Sequence, residues 1–233
     1  MARTRGNHSF SLILPAYNEE RTIEKTLRAA CGTSVQEIIV IDDGSTDATA
    51  EIVTRIQALD QRIVLCRHRR NRGPGAARKT GAKSAIGSVL VFFDCDIENI
   101  TPCQIQALMN PFETGSVDLV MADFDNFGRV TEYLVRPLLE RFVPSLVTIK
   151  QPLSGMFAIS RDILSLQTME VGHAVSGILL EAYFKKARIA QVYIGEIHHR
   201  KRDDTSKVAQ ASSECSAIVK MLIENGVIQT ALR

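Results

Sequence analysis

Short unbroken apolar runs, each followed by a polar cluster and then by a segment of helical period, constrain this chain more than any other feature. Ser11-Leu12-Ile13-Leu14, Glu37-Ile38-Ile39-Val40-Ile41, Ile63-Val64-Leu65 and Val89-Leu90-Val91-Phe92-Phe93 are the first four runs. Helical patterns follow over 19–30, 46–59, 75–86 and 101–109, with Ile23, Leu27 and Ala30 on one face of the first and Ile52, Val53 and Ile56 on one face of the second. A strand that is apolar at every position must be covered on both faces. The repeated unit therefore predicts an α/β fold, a mostly parallel sheet with helices on both sides.

The second half is less regular. Leu119-Val120-Met121, Met156-Phe157-Ala158-Ile159 and Gln191-Val192-Tyr193-Ile194 read as further strands, and 129–142, 175–186 and 206–225 as helices. No Pro/Gly/Ser-rich linker separates the halves, so the expectation is a single domain. It would comprise a nucleotide-binding half over about 10–110, an acceptor-binding half over about 111–205 and a C-terminal helix over about 206–225. Ala211, Cys215, Ile218, Val219 and Leu222 share helical spacing there and suit either the core or a homodimer contact.

A chain of 233 residues, 45% of them hydrophobic, hides roughly 70–75% of its unfolded surface on folding and needs no disulfide or metal staple. Its five cysteines are odd in number and none stands in C-x-x-C spacing, which suits free thiols in a reducing compartment. The N-terminal apolar run ends at Pro15, and no stretch approaches the ~20 apolar residues that span a bilayer. A cytoplasmic protein without a membrane partner is expected. Lys and Arg number 28 against 26 Asp and Glu, a net charge of +2, too small for affinity built on wrapping nucleic acid. There is no Trp and no interleaving of basic with aromatic residues, which argues against a single-strand binder.

Ligands of open α/β sheets bind beyond the carboxyl ends of the strands, so the polar clusters there are the candidate site. They are Pro15-Ala16-Tyr17-Asn18-Glu19, Asp42-Asp43-Gly44-Ser45-Thr46-Asp47, Asn71-Arg72-Gly73-Pro74-Gly75 and Asp94-Cys95-Asp96. Taken singly, each is an ordinary loop, a turn or a helix cap. Together they fall at one sheet edge, and two carboxylates two residues apart after a buried strand suit a divalent cation held against a diphosphate. No G-x-x-x-x-G-K-[ST] triphosphate loop is present, which disfavours a nucleotidyltransferase.

At this point the chain resembles a family. Leu14-Pro15-Ala16-Tyr17-Asn18-Glu19-Glu20, Ile41-Asp42-Asp43-Gly44-Ser45-Thr46-Asp47, Asn71-Arg72-Gly73-Pro74-Gly75-Ala76-Ala77-Arg78 and Asp94-Cys95-Asp96 look like successive signatures of GT-A nucleotide-sugar glycosyltransferases of family 2 type, a Rossmann-like fold. Phe127-Gly128-Arg129-Val130-Thr131-Glu132, Val135-Arg136-Pro137-Leu138-Leu139, Gln151-Pro152-Leu153-Ser154-Gly155 and His199-Arg200 are similar to the retaining glucosyl-3-phosphoglycerate synthases of family 81. The resemblance spans roughly residues 10 to 205.

It implies a metal-dependent glycosyltransferase, using Mg²⁺ or Mn²⁺, that moves a sugar from a nucleoside diphosphate to a small anionic acceptor. A diphosphate leaves only if its developing charge is neutralised, by a metal and by cations. Asp96 is the expected metal contact with Asp94 beside it, and the family's late metal histidine falls on His199, with His198 its rival. Asp96 and Arg129 are the expected catalytic residues. Pro15, Ala16, Tyr17, Glu19, Asp42, Asp43, Arg72, Gly73, Gly75, Arg78, Asp94 and Cys95 are expected at the nucleotide, with Glu19 on the ribose and Asp42 or Asp43 on the base. A pyrimidine N–H suits such a carboxylate, which favours UDP over GDP. Gly128, Arg129 and Thr131 would take the acceptor, and Gly155, Met156 and Ser176 the donor sugar.

The chain also departs from that family. Pro74 stands where the family has a lysine, Met156 and Ser176 where it has glutamates that bind sugar hydroxyls, and Ile197 where it tends to an arginine. A thioether and a hydroxyl in place of two carboxylates predict an unusual donor sugar, and a non-phosphoglycerate acceptor in a specialised pathway is the alternative. Retention is what the family implies; no Asp or Glu of the back half stands out as an inverting base, with Glu181 the one remaining candidate.

Overall fold

A computed structural model of the chain describes residues 8–115, 117–125, 128–170, 175–200 and 204–228. Seven strands, β1 (Phe10–Ala16), β2 (Glu37–Asp42), β3 (Ile63–Arg67), β4 (Val89–Phe92), β5 (Leu119–Asp123), β6 (Phe157–Ser160) and β7 (Ile189–Tyr193), form one sheet in the order β3-β2-β1-β4-β6-β5-β7. All pair in parallel except β6, which runs against both β4 and β5. The helices are α1 (Ile23–Cys31), α2 (Thr49–Gln57), α3 (Pro74–Ser84), α4 (Pro102–Glu113), α5 (Arg136–Phe142), α6 (Val175–Phe184) and α7 (Asp204–Glu224).

The continuous apolar runs are explained by the two layers they feed. Leu12 and Leu14, Ile38 and Val40, and Val89 and Val91 point into one layer, against Ile23 and Leu27 of α1, Val53 of α2 and Ile105 and Leu108 of α4. The alternate residues Ile13, Ile39, Ile41, Leu90 and Phe92 point into the other, against Ala77 of α3, Leu139 of α5, Leu179 of α6 and Ile218 of α7. Each fully buried Leu, Ile or Phe contributes about 1.5–3 kcal/mol over an exposed one. The helix predicted over 129–142 is broken: a π-helical turn, Thr131–Val135, precedes α5. No helix among the described residues is long and apolar enough to cross a membrane.

This topology brings one set of chain ends together. The carboxyl ends of β1 to β5 and β7 and the amino end of β6 share an edge.

Candidate active site

The loops after β1 and β2 are stitched to each other. Asn18 takes a positive φ of 55°, and its Oδ1 accepts the Thr46 N–H at 2.9 Å while its own N–H donates to Ser45 Oγ at 3.0 Å. The Glu19 N–H donates to Thr49 Oγ1 at 2.8 Å. Ala16 and Glu19 are buried, whereas Tyr17 is exposed.

Asp42 and Asp43 serve different neighbours. Asp42 is fully buried; its Oδ2 accepts from Arg67 Nε at 2.8 Å and its Oδ1 from the Ser45 N–H at 2.9 Å. Asp43 organises the loop after β3. It accepts from Gly73 N–H at 2.8 Å and Arg72 N–H at 3.1 Å, and it lies 2.6 Å from His68 Nδ1. The other His68 nitrogen meets Thr80 Oγ1 of α3 at 2.9 Å. Gly73 has a φ of 88°, a backbone conformation close to glycine-only, so the turn into α3 needs this residue. Its neighbours Arg72, Lys79 and Lys83 concentrate positive charge: desolvation, then Lys83 and Arg72, push the Lys79 ammonium below the usual lysine range.

The D-x-D carboxylates face two ways. Asp94 Oδ1 pairs with Arg78 Nη2 of α3 at 3.2 Å, and its carboxylate lies flat on Gly155, where a Cβ would stand 2.3 Å from Oδ2. Asp96 meets the late histidine. The segment after β7 pairs with the segment after β4 through an antiparallel bridge between Ile97 and His199, with the Arg200 N–H donating to the Asp96 carbonyl at 2.9 Å. His199 Nδ1 thereby stands 3.4 Å from Asp96 Oδ1 across 103 positions of sequence. The next residue, Arg200, donates to the Asn18 carbonyl at 2.8 Å and pairs with the Glu19 carboxylate at 3.4 Å. His198 is turned away onto Glu196 at 3.0 Å.

One carboxylate oxygen and one imidazole nitrogen at this spacing fit a shared divalent ion, since two adjacent ligands at about 2.1 Å from an octahedral ion stand roughly 3 Å apart. No cluster of three such side chains occurs among the described residues. The pair would hold such an ion only with further ligands from outside the protein, which a bound diphosphate and water would supply.

Residues 11–172 match the family described as Glycosyl transferase family 2. This chain belongs to that family. It is 34% identical to the glucosyl-3-phosphoglycerate synthase of Mycobacterium tuberculosis over 85% of this chain and 68% of the relative. To the synthase of Mycolicibacterium smegmatis it is 30% identical, over 96% and 80%. The crystal structure of the Mycobacterium tuberculosis enzyme in complex with Mn²⁺, UDP-glucose and phosphoglyceric acid superimposes with a TM-score of 0.80 at 30% identity, covering 96% of this chain and 82% of that one. The fold expected from the sequence is thus the GT-A fold, and the protein is a glycosyltransferase.

The back half of this glycosyltransferase holds the remaining predicted residues. Gly128 and Arg129 are exposed at the entrance of the π-helical turn and Thr131 is buried in it; Phe127 lies outside the described residues. Gly75 is buried near the start of α3 and Pro15 half-buried, while Arg72 presents its side chain to solvent. Cys95 is buried in the apolar layer. Met156, expected at the donor sugar, packs fully buried in that layer, next to the amino end of β6. Ser176 is buried at the start of α6, bonded to Glu214 of α7; Gly172 of the same stretch lies outside the described residues. Glu181 pairs with Lys185 at 2.8 Å. Two buried polar contacts carry no signal in the sequence: His68, just past the end of β3, meets Asp43 and Thr80, and Glu214 meets Ser176, 38 residues away.

Proposed function

We propose that this glycosyltransferase is a metal-dependent, retaining enzyme that moves a hexose from a UDP-sugar to a small anionic acceptor, in the manner of glucosyl-3-phosphoglycerate synthases. The observation that carries the reading is the meeting of Asp96 with His199 at the same sheet edge as the Arg78–Asp94–Gly155 contact. Solved relatives at 30% identity hold Mn²⁺ with UDP-glucose, and phosphoglyceric acid or glycerol 3-phosphate beside it.

In this reading Asp42, buried beside the β2 end, fixes the base pocket, and the Asp43-built loop presents Arg72 and the N-terminus of α3 toward the diphosphate. Asp96 and His199 hold Mg²⁺ or Mn²⁺, which when bound neutralises charge on the leaving diphosphate. Arg78 supplies further positive charge from α3. Arg129 and Thr131, at the start of a helical segment, receive the anionic acceptor. Attack comes from the face the diphosphate leaves, and the diphosphate takes the acceptor's proton; Glu181, the remaining candidate for an inverting base, is engaged by Lys185 at 2.8 Å.

Met156 and Ser176, both buried, stand where the resembling family has sugar-binding glutamates, and a second reading is therefore transfer of a different sugar to a different acceptor in a specialised pathway. Nucleoside diphosphate release from a panel of sugar nucleotides with Mn²⁺, with and without 3-phosphoglycerate, tests both. Release stimulated by 3-phosphoglycerate supports the first reading. Release from another donor, indifferent to that acceptor, supports the second.

A further inference from the structure

His68 follows β3 directly, and its N–H extends the parallel ladder by donating to the Asp42 carbonyl at 2.9 Å. Its side chain leaves only 8% of its surface exposed, whereas the next four residues, Arg69, Arg70, Asn71 and Arg72, are exposed. The two ring nitrogens join different elements. Nδ1 stands 2.6 Å from Asp43 Oδ1, just past β2, and Nε2 stands 2.9 Å from Thr80 Oγ1 on α3. The same Asp43 carboxylate accepts from the backbone N–H groups of Arg72 and Gly73. An oxygen that accepts from the loop accepts from the ring as well, so Nδ1 is the donor.

The Asp43 backbone is fixed by its N–H on the Ala16 carbonyl at 2.8 Å, but that bond leaves the side-chain torsions open. Of the three donors on the carboxylate, two belong to the loop it holds. The third, the His68 ring, is braced on α3 and fixes the direction in which Asp43 holds that loop. The direction matters, because three arginines in four residues repel one another, and the loop lies hard against the one before it: a Cβ at Gly44 would stand 2.5 Å from the Arg70 carbonyl carbon. Gly73 caps α3 at its N-terminus. The turn that Asp43 holds therefore sets where Arg72 and the first N–H groups of α3 stand.

We infer that His68 is a positioning residue of the donor site, which through Asp43 holds the Arg72–Gly73 turn where Arg72 and the N-terminus of α3 meet the diphosphate of a sugar nucleotide. The inference rests on the glycosyltransferase reading above and extends the donor site to a side chain that touches no substrate. A merely structural ring would act otherwise. Its loss would lower stability and leave the affinity of the folded protein unchanged.

The test is calorimetric binding of UDP with Mn²⁺ to the full chain, to H68N and to H68Q, with melting temperatures recorded alongside. An asparagine amide nitrogen falls near the place of Nδ1 and keeps a donor for Asp43, whereas that of glutamine reaches the place of Nε2 and keeps only the Thr80 contact. Both lose the packing of the ring. H68Q is expected to bind UDP about tenfold more weakly than wild type, and H68N to retain most of the affinity. H68Q binding as tightly as wild type, both variants weakened alike, or H68N the weaker of the two would overturn the inference alone. A wild type that binds no UDP with Mn²⁺ would overturn the functional reading and the inference with it. A crystal structure of wild type with UDP and Mn²⁺ needs no variant to fold. Arg72 or an N–H of the first turn of α3 bonded to a phosphate oxygen, with Asp43 still on His68 and Gly73, supports the inference; a diphosphate bound away from that turn overturns it.

Discussion

Residue 155 shows how little room the site leaves. A methyl group there would stand 2.3 to 2.6 Å from three atoms of the Asp94 carboxylate, so Gly155→Ala must displace a group of the proposed donor site. A misplacement of this size in a binding site costs on the order of 100-fold in kcat/KM. G155A is expected to show that loss with an unchanged circular dichroism spectrum, and a variant of wild-type activity would refute the contact's role. Asp43 makes the complementary point about the loop after β3, because its carboxylate gathers His68 and the Arg72 and Gly73 N–H groups. Asparagine keeps one acceptor oxygen of the two. Asp43→Asn is expected to cost about 1–3 kcal/mol in urea unfolding and to raise KM for the sugar nucleotide more than it lowers kcat. Asp43 is announced by its place after an apolar run and Gly155 only by the family resemblance; nothing in the sequence shows that Asp43 is spent largely on its own loop.

Elements decide which of those residues meet. The strands after which ligands bind were legible, since each is a buried apolar run, but their order was not. β6 runs antiparallel between two parallel neighbours, and a four-residue run that is apolar throughout reads the same in either direction. The Ile97–His199 bridge was likewise invisible, because a single antiparallel pair has no sequence period, and only the family resemblance connected Asp96 with His199. α7 was left between core and interface; Glu214, Ala217, Ile218 and Leu222 turn inward, while Val219 and Ile223 stay exposed. One junction also sets an acid-sensitive element. Arg62 donates to the Cys31 carbonyl at the end of α1 and to those of Thr33 and Val35, and Asp60 orients it. Hydrogen bonds from Arg62 hold the Asp60 carboxyl well below the usual carboxylate range. A folded-state pKa below the unfolded one adds stability that is present above about pH 4 and fades as the pH falls through that value toward the folded pKa. Urea midpoints of wild type are therefore expected to drop more steeply between pH 5 and pH 2 than those of Asp60→Asn; parallel curves would refute the linkage.

At the scale of the molecule, two apolar layers on one sheet carry the site as a rigid edge. Phe92 of β4 stacks on Phe157 of β6 at 4.6 Å between ring centroids, and both are fully buried. Phe157→Ala is expected to cost about 3–5 kcal/mol in urea unfolding, and a cost near zero would mean that the second layer is not packed as described. The near-neutral composition told nothing of the charge layout. Folding sets Asp94 against Arg78 and Asp96 against His199 at that edge, a pattern that suits the proposed site for a metal and a diphosphate together. The most direct measurement is uridine diphosphate release from UDP-glucose, with 3-phosphoglycerate supplied to accept the glucosyl group, by the wild type and by Asp96→Asn, with Mn²⁺ and after chelation. The account predicts release by wild type with Mn²⁺, its loss on chelation, and a fall on the order of 100-fold in Asp96→Asn. Equal release with and without metal, or by the variant and wild type alike, would contradict it.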